Sequence, residues 1–404
     1  MLKLFKNKFN LAFIVNPFFL YCFAFSFAVF LYLWGWSDLF PALSAELIIY
    51  FVSSFLLFIL AGYFLQKKVN IFLRYNSSYS FFINDIIFWL IIILGFLDVI
   101  LMGYLPILDR SNDYRQFGIP VIDVLFNTLS IFFSVWFFQS FLENRKRRYL
   151  IYFLIILVIQ IPLFRRSTIV WILVSSSFLF LIYNRKIILL IILAGIICIP
   201  LLSYCFGLYG NTRSNLIKSF VLNDLGASET FKNLGISHNH YMTYLYIASP
   251  LANLQKNIDN GDGFFNKREY ENFFFYSLLP ESFTMRLEKP LHLSPPVCSL
   301  ITPELIAGSF LMVSFHTIGW GGMISMVVFL FAFILLCLAI IRRWTIFSVT
   351  TFCILSTAVS LLIFANFLNR LDVILMLFIY PVLFHLIYTG SNRVPSSVLK
   401  KSED

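Results

Sequence analysis

Residues 149–183 read YLIYFLIILVIQIPLFRRSTIVWILVSSSFLFLIY, two apolar runs joined by a proline and two adjacent arginines. Runs of this kind approach the length at which a helix crosses the hydrocarbon of a bilayer, about 20 residues for ~30 Å. The same pattern recurs along most of the chain. The composition agrees: 60% of residues are hydrophobic and only 12% are charged, against roughly a quarter charged in a soluble domain. Membrane β-barrels alternate apolar and polar residues over ten-residue segments, and no such alternation is visible. The expected class is an all-α polytopic membrane protein in contact with the lipid bilayer.

About ten transmembrane helices are predicted, at 11–33, 46–65, 82–104, 120–141, 149–164, 167–183, 187–206, 319–341, 346–365 and 371–389. Residues 1–206 thus carry the first seven helices. Residues 207–318 form one large outer, periplasmic loop with short helices, residues 319–389 carry the last three helices, and residues 390–404 form a cytoplasmic tail. The N-terminus, MLKLFKNKFN, is basic and leads into an apolar run with no small-residue cleavage site, so the first helix is expected to be retained. The cysteines Cys22, Cys198, Cys205, Cys298, Cys337 and Cys353 lie mostly in apolar runs without C-x-x-C spacing, so neither a disulfide framework nor a zinc site is expected.

Orientation follows from the basic residues, because cytoplasmic loops retain lysine and arginine. With both termini inside, every inner connection is basic: Lys3, Lys6 and Lys8; Lys67, Lys68 and Arg74; Arg145 to Arg148; Arg185 and Lys186; Arg342 and Arg343; Arg393, Lys400 and Lys401. The net charge of +10 reflects this rule and does not call for nucleic acid as a partner. The short outer connections hold Arg110, Arg115, Arg165, Arg166 and Arg370, all arginine. A planar guanidinium grips carboxylate or phosphate oxygens with two parallel hydrogen bonds, which an ammonium cannot do. Outer acids stand near several of them: Asp98, Asp109, Asp113, Asp123 and Asp372. Ion pairing could account for Arg110, Arg370 and Arg115. Arg165 and Arg166 sit in a very short connection with no acid close in sequence. A charge at that depth must have a partner.

The outer loop contains GLYGNTRSN, then SHNHYMTYLYIASPLANL, then GFFNKREYENFFFYSLLPESFTMRLEKP. Its tyrosines, Tyr241 and Tyr244 among them, suit either a membrane interface or the faces of sugar rings. His238 and His240 are i, i+2 and fall on different faces of a helix, a poor metal arrangement. A histidine there could serve as general base, since its pKa lies near working pH. IDNGDG at 258–263 lacks the order of a calcium loop and reads as a turn. The apolar segment 299–316 is expected to be re-entrant or surface-lying and packed on protein, with Gly319, Gly321 and Gly322 allowing a close turn into the next helix. No nucleotide-binding or hydrolase motif occurs, and no metal or cofactor is expected.

Four stretches carry a family resemblance: GYLPILDRSNDYRQFGIP at 103–120, PLFRRST at 162–168, YIASPLANL at 246–254, and TPELIAGSFLMVSFHTIGWGG at 302–322. In these the chain resembles the O-antigen polymerases (Wzy type) and related oligosaccharide repeat-unit polymerases of bacterial envelopes. The resemblance implies a membrane-embedded glycosyltransferase of the inner membrane, acting on undecaprenyl-pyrophosphate-linked oligosaccharides, with a chain-length regulator as a possible partner. Arg165 and Arg166, then Arg115, with Arg110 and Arg370, would bind the donor pyrophosphate. His240 or His238 would take the hydroxyl proton, with Asp109 and Glu304 in reserve, and Tyr241 and Tyr244 would touch sugar. SHNHY also resembles a stretch of the O-antigen ligases, which stays open as an alternative. So does a lipid-linked oligosaccharide flippase, although no internal repeat of the transporter kind is visible.

Overall fold

The computed structural model describes residues 15–72, 81–108, 117–184, 188–214, 218–261, 267–344 and 346–391. Asp109, Arg110 and Arg115 lie outside the described residues. Among the described residues the regular structure is helical, with one isolated bridge between Ser37 and Ala227. The helices are α1 (Pro17–Tyr32), α2 (Ala45–Phe72), α3 (Phe81–Met102), α4 (Pro120–Asn144), α5 (Arg147–Ile159), α6 (Arg166–Tyr183), α7 (Ile188–Ser214), α8 (Lys218–Asn223), α9 (Glu229–Asn233), α10 (His238–Asp259), α11 (Lys267–Phe273), α12 (Glu281–Leu287), α13 (Met312–Arg343), α14 (Ser348–Ser360), α15 (Leu371–Ile374) and α16 (Tyr380–Ser391). A π turn, Phe274–Leu278, follows α11, and another, Leu375–Ile379, joins α15 to α16.

Six of these elements are long and apolar enough to cross a membrane: Ala45–Gln66, Ile83–Met102, Pro120–Asn144, Arg166–Tyr183, Met312–Arg343 and Leu371–Thr389. The chain is an all-α membrane protein. Three other expected spans fall on shorter apolar helices, Pro17–Tyr32, Arg147–Ile159 and Ser348–Ser360, and the stretch 187–206 falls within α7, Ile188–Ser214. The stretch 149–164 stops being helical at Ile159, because residues 160–164 fold into a turn around Pro162. Local signals set several helix ends. Asn16 accepts from the Phe18 amide ahead of Pro17, and Arg145 closes α4 in the left-handed conformation at φ 55°. Both are standard ways of satisfying or ending the amide ladder.

The chain packs as two compact units. The first comprises residues 1–66, 184–334 and 358–371, the second residues 67–183, 335–357 and 372–404. In the second unit α4 is the central helix, burying Phe132, Phe133, Trp136 and Phe137. A buried amide, Asn84, ties three elements there. Its Oδ1 accepts from the Trp136 indole (2.9 Å) and the Tyr388 hydroxyl (2.6 Å), and its Nδ2 donates to the Tyr149 hydroxyl (3.2 Å). Such a hub orders an apolar core because each of its groups would be costly left unpaired.

In the first unit α7 and α10 pack most closely. A Cβ on Gly207 would stand 1.9 Å from the Asn239 carbonyl oxygen, so only glycine permits the approach. The segment 299–307 is not helical, and α10 supplies what its backbone lacks. Asn253 donates to the carbonyls of Leu305 (2.6 Å) and Ala307 (2.8 Å) and accepts from the Ile301 amide (2.8 Å). Asn257, one turn on, exchanges both bonds with Ser299, at 2.8 and 3.0 Å. The two amides act as a substitute strand. Leu305 of this segment is buried, while Pro303, Glu304 and Ile306 are exposed. Helix α13 then begins at Met312 and kinks at Ile318 and Gly319, where Gly319 adopts φ 58°, ψ −143°. A Cβ on Gly322 would lie 2.0 Å from the Ser314 carbonyl oxygen, across that kink. Of the expected glycines, Gly319 supplies the backbone conformation and Gly322 the space.

Gly322→Ala is expected to cost about 3 kcal/mol or more, since backbone rather than a side-chain end would have to move. Asn253→Leu removes three bonds to buried backbone and is expected to cost a similar ~3 kcal/mol. Thermal unfolding of the detergent-purified variants against the parent chain, with Ser325→Ala on the exposed face of α13 as an unchanged control, checks both.

Candidate functional site

The arginine pair sits where α5 has ended and α6 begins. Phe164 takes the left-handed conformation, φ 52°, and the Arg165 amide donates back to the Gln160 carbonyl (3.2 Å). A non-glycine residue there is uncommon and costs of order 1 kcal/mol, which the surrounding contacts must offset. The turn is pinned from outside by the Ile107 amide, which donates to the Pro162 carbonyl (3.1 Å).

This turn sends the Arg165 side chain inward, among α3, α4 and α6. Its Nη2 meets Asp98 Oδ2 at 2.8 Å and pairs with Asp123 Oδ1, and its Nη1 donates to Asn127 Oδ1 at 2.8 Å. The guanidinium lies 4.7 Å from the Phe126 ring centroid. Every partner is itself held. Asp98 Oδ1 accepts from the Ile119 amide (3.0 Å), Asn127 Nδ2 donates to Asp123 Oδ2 (3.0 Å), and Thr168 donates to Asn127 Oδ1 (3.1 Å). Gly118, at φ 109°, lets the backbone press against Asp123, where a Cβ would fall 2.6 Å from Oδ1. The Arg165 side chain is 9% exposed and that of Asp98 is 0% exposed.

The partner expected for a charge at this depth is present as two acids. The acids are distant in sequence and adjacent in space. With both carboxylates ionised the trio carries an excess of negative charge, and both terminal nitrogens of Arg165 are occupied. Arg165 is therefore the clamp of this corner rather than a donor open to an incoming anion. Arg166 is the first residue of α6, partly exposed with its Nη1 buried, beside the amides at the start of a helix whose dipole favours negative charge. Arg370, in the first unit, is exposed on extended backbone, with its guanidinium 5.4 Å from the Phe367 ring.

His238 is the first residue of α10, capped by Ser237, and is half-exposed. His240 turns toward α7, with Nδ1 3.1 Å from Ser203 Oγ. The two tyrosines expected to touch sugar do not present their faces. Tyr241 is 0% and Tyr244 3% exposed. They pack with Trp36, Phe40 and Phe231 in one aromatic cluster, and the Tyr241 hydroxyl donates to the Leu225 carbonyl at 2.6 Å. Burial pushes the Tyr244 hydroxyl up to about 12. Their bulk is spent on the core of the first unit. Glu304 is exposed, on the segment held by Asn253. Among the described residues, no group of histidine, cysteine, aspartate and glutamate is placed to hold a metal ion.

Compared with family models, with curated proteins and with solved structures, the chain matches none. The functional reading therefore rests on these residues. Two side chains that matter were not singled out in the sequence, Asn127 and Asn253. The signal for each was its spacing, i+4 from Asp123 and i−4 from Asn257, which puts amide and partner on one helix face.

Asp98→Asn leaves Arg165 paired with Asp123 and is expected to destabilise the second unit by about 1.5–3 kcal/mol, the worth of one charged hydrogen bond. Arg165→Lys should do likewise, because one ammonium cannot reach both acids and Asn127. Melting temperature and the yield of monodisperse protein read both effects.

Proposed function

We propose that this chain is a membrane-embedded glycosyltransferase that joins undecaprenyl-pyrophosphate-linked repeat units at the periplasmic face of the bacterial inner membrane, as O-antigen polymerases do. The reading rests on one observation above others: Arg165 clamps two acids and an amide, directly beside Arg166 at the head of an apolar helix. An anionic headgroup can meet the arginine and the helix start there, while its lipid tail runs along apolar surface. The residues 207–318 then form the periplasmic part, and both termini are cytoplasmic.

In the proposed reaction a sugar hydroxyl of one lipid-linked unit attacks the anomeric carbon of the growing glycan. The bond from that carbon to the phosphate oxygen breaks, and the lipid pyrophosphate leaves with the electron pair. Negative charge grows on the leaving oxygens, and donors fixed beforehand lower that barrier most. Arg166 supplies such donors, with Arg370, Arg110 and Arg115 as further candidates. Arg165 acts through Arg166 and is a positioning residue. The hydroxyl proton passes to a base, His240 or His238. Asp109 and Glu304 are the remaining carboxylates proposed for that role.

A lipid-linked oligosaccharide flippase is the second reading. The observation favouring it is a set of buried hydroxyls in the second unit, Ser130, Ser134 and Ser176, that find no hydrogen-bond partner. Polar groups of that kind could line a path for a hydrophilic cargo.

The deciding measurement is a gel of surface polysaccharide from a strain lacking the gene, beside one carrying it back on a plasmid. The polymerase reading expects the ladder to collapse to core plus a single repeat unit. Loss of every repeat-bearing band would replace it with the ligase or the flippase. Arg166→Lys should leave membrane levels unchanged and cut polymerisation about a hundredfold, comparable to removing one oxyanion donor. Arg165→Lys should instead lower the amount of folded protein.

A further inference from the structure

The π turn at Phe274–Leu278 widens the helix and leaves three successive carbonyls to be met by side chains. Phe275 O accepts from Thr284 Oγ1 (2.6 Å), Tyr276 O from Asn369 Nδ2 (2.9 Å), and Ser277 O from Asn366 Nδ2 (2.8 Å). Single π turns of this kind often mark functional sites. The three bonds fix where the rings of Phe275 and Tyr276 stand. Facing them is one side of α12, bearing Glu281, Thr284, Met285 and Glu288, the i, i+3, i+4, i+7 pattern of a single helix face. Between them lies a cavity of about 300 Å³. The Tyr276 hydroxyl donates to Glu288 Oε1 at 3.3 Å, and burial together with the Glu288 charge raises its pKa, so the phenol keeps its proton.

We propose that this cavity seats one ring of a glycan, a sugar that carries no negative charge. The assignment deepens the glycosyltransferase reading and rests on it for the source of the sugar. Its chemistry comes from the walls. Two carboxylates repel phosphate and uronate groups, so the lipid pyrophosphate does not sit here. Ionised carboxylates are acceptors only, and what they match is a ring edge rich in hydroxyl donors. The aromatic walls match the flat C–H face of the same ring. The volume lies at the lower end of the range for small-molecule sites, which suits a sugar ring rather than a long chain. Glu281 and Glu288, from opposite ends of α12, would hold hydroxyls at two edges of the ring. Tyr276, donating to Glu288, keeps that carboxylate turned toward the cavity.

The test is saturation-transfer NMR on the full chain in detergent, with N-acetylglucosamine, glucose and glucuronate as probes. The proposal expects transfer to the C–H protons of at least one neutral sugar and none to glucuronate. Glu288→Gln should weaken that binding about tenfold, the worth of one charged hydrogen bond, and Phe275→Ala by about as much through the lost stacking face. Glu281→Gln provides a second carboxylate change should either variant melt early. Neutral sugars that bind equally to parent and variants would overturn the assignment, as would glucuronate binding as well as glucose. Tetramethylammonium displacing the sugars at far lower concentration would overturn it in favour of an organic-cation site. Binding is read without turnover, so the two ideas fail separately. A ladder that does not collapse sinks the polymerase reading alone. A collapsed ladder with no sugar signal sinks this pocket alone.

Discussion

One constraint runs through this structure: a backbone surrounded by apolar side chains must satisfy its own amides and carbonyls. Helices do so without help, and most of the chain is helical for that reason. The informative places are where the helix stops. At residues 160–165 the Arg165 amide returns to Gln160, and at 299–307 Asn253 and Asn257 take the place of a neighbouring strand. At the π turn Thr284, Asn366 and Asn369 receive three consecutive carbonyls. At the α13 kink, glycine absorbs the geometry instead. Each interruption carries a cost that named residues offset, and each brings uncommon chemistry to a fixed position.

The same accounting applies to charge. Placing Arg165 at 9% exposure would be very unfavourable for a lone cation, and two carboxylates, an amide and two aromatic faces surround it. Three of the guanidinium's five N–H donors meet Asp98, Asp123 and Asn127. Its value is rigidity, since it ties α3, α4 and the head of α6 together and so fixes the direction in which Arg166 leaves the helix. Preorganised donors are effective because nothing has to be reoriented when charge develops. In the proposed division of labour within the pair, one arginine serves the scaffold and one the anion.

Aromatic residues divide in a similar way. Trp36, Phe40, Phe231, Tyr241 and Tyr244 fill the core of the first unit, whereas Phe275 and Tyr276 stand at the edge of an open cavity. Tyrosine and phenylalanine occur in both sets. What separates them is the backbone beneath: a regular helix, α10, turns Tyr241 and Tyr244 inward, and a π turn holds Phe275 and Tyr276 at the cavity.

The sequence by itself determined the class, because apolar runs near 20 residues with few charges have no other stable form in a bilayer than helices. It also showed where breaks occur: the turn around Pro162 before the arginine pair, the glycine-rich kink at 319–322 and the irregular segment before it are visible as proline, glycine or charge within apolar runs. Only the tertiary structure decided which acids meet Arg165, since Asp98 and Asp123 lie 67 and 42 residues away in the chain, and spacing along one strand of sequence carries no record of which helices become neighbours. It likewise decided that Tyr241 and Tyr244 are core residues, and that Glu281 and Glu288 face two aromatic rings. Those outcomes depend on how helices pack and on side-chain bonds made across long stretches of chain. A periodic pattern shows which face of a helix is buried, and the fold alone shows against what.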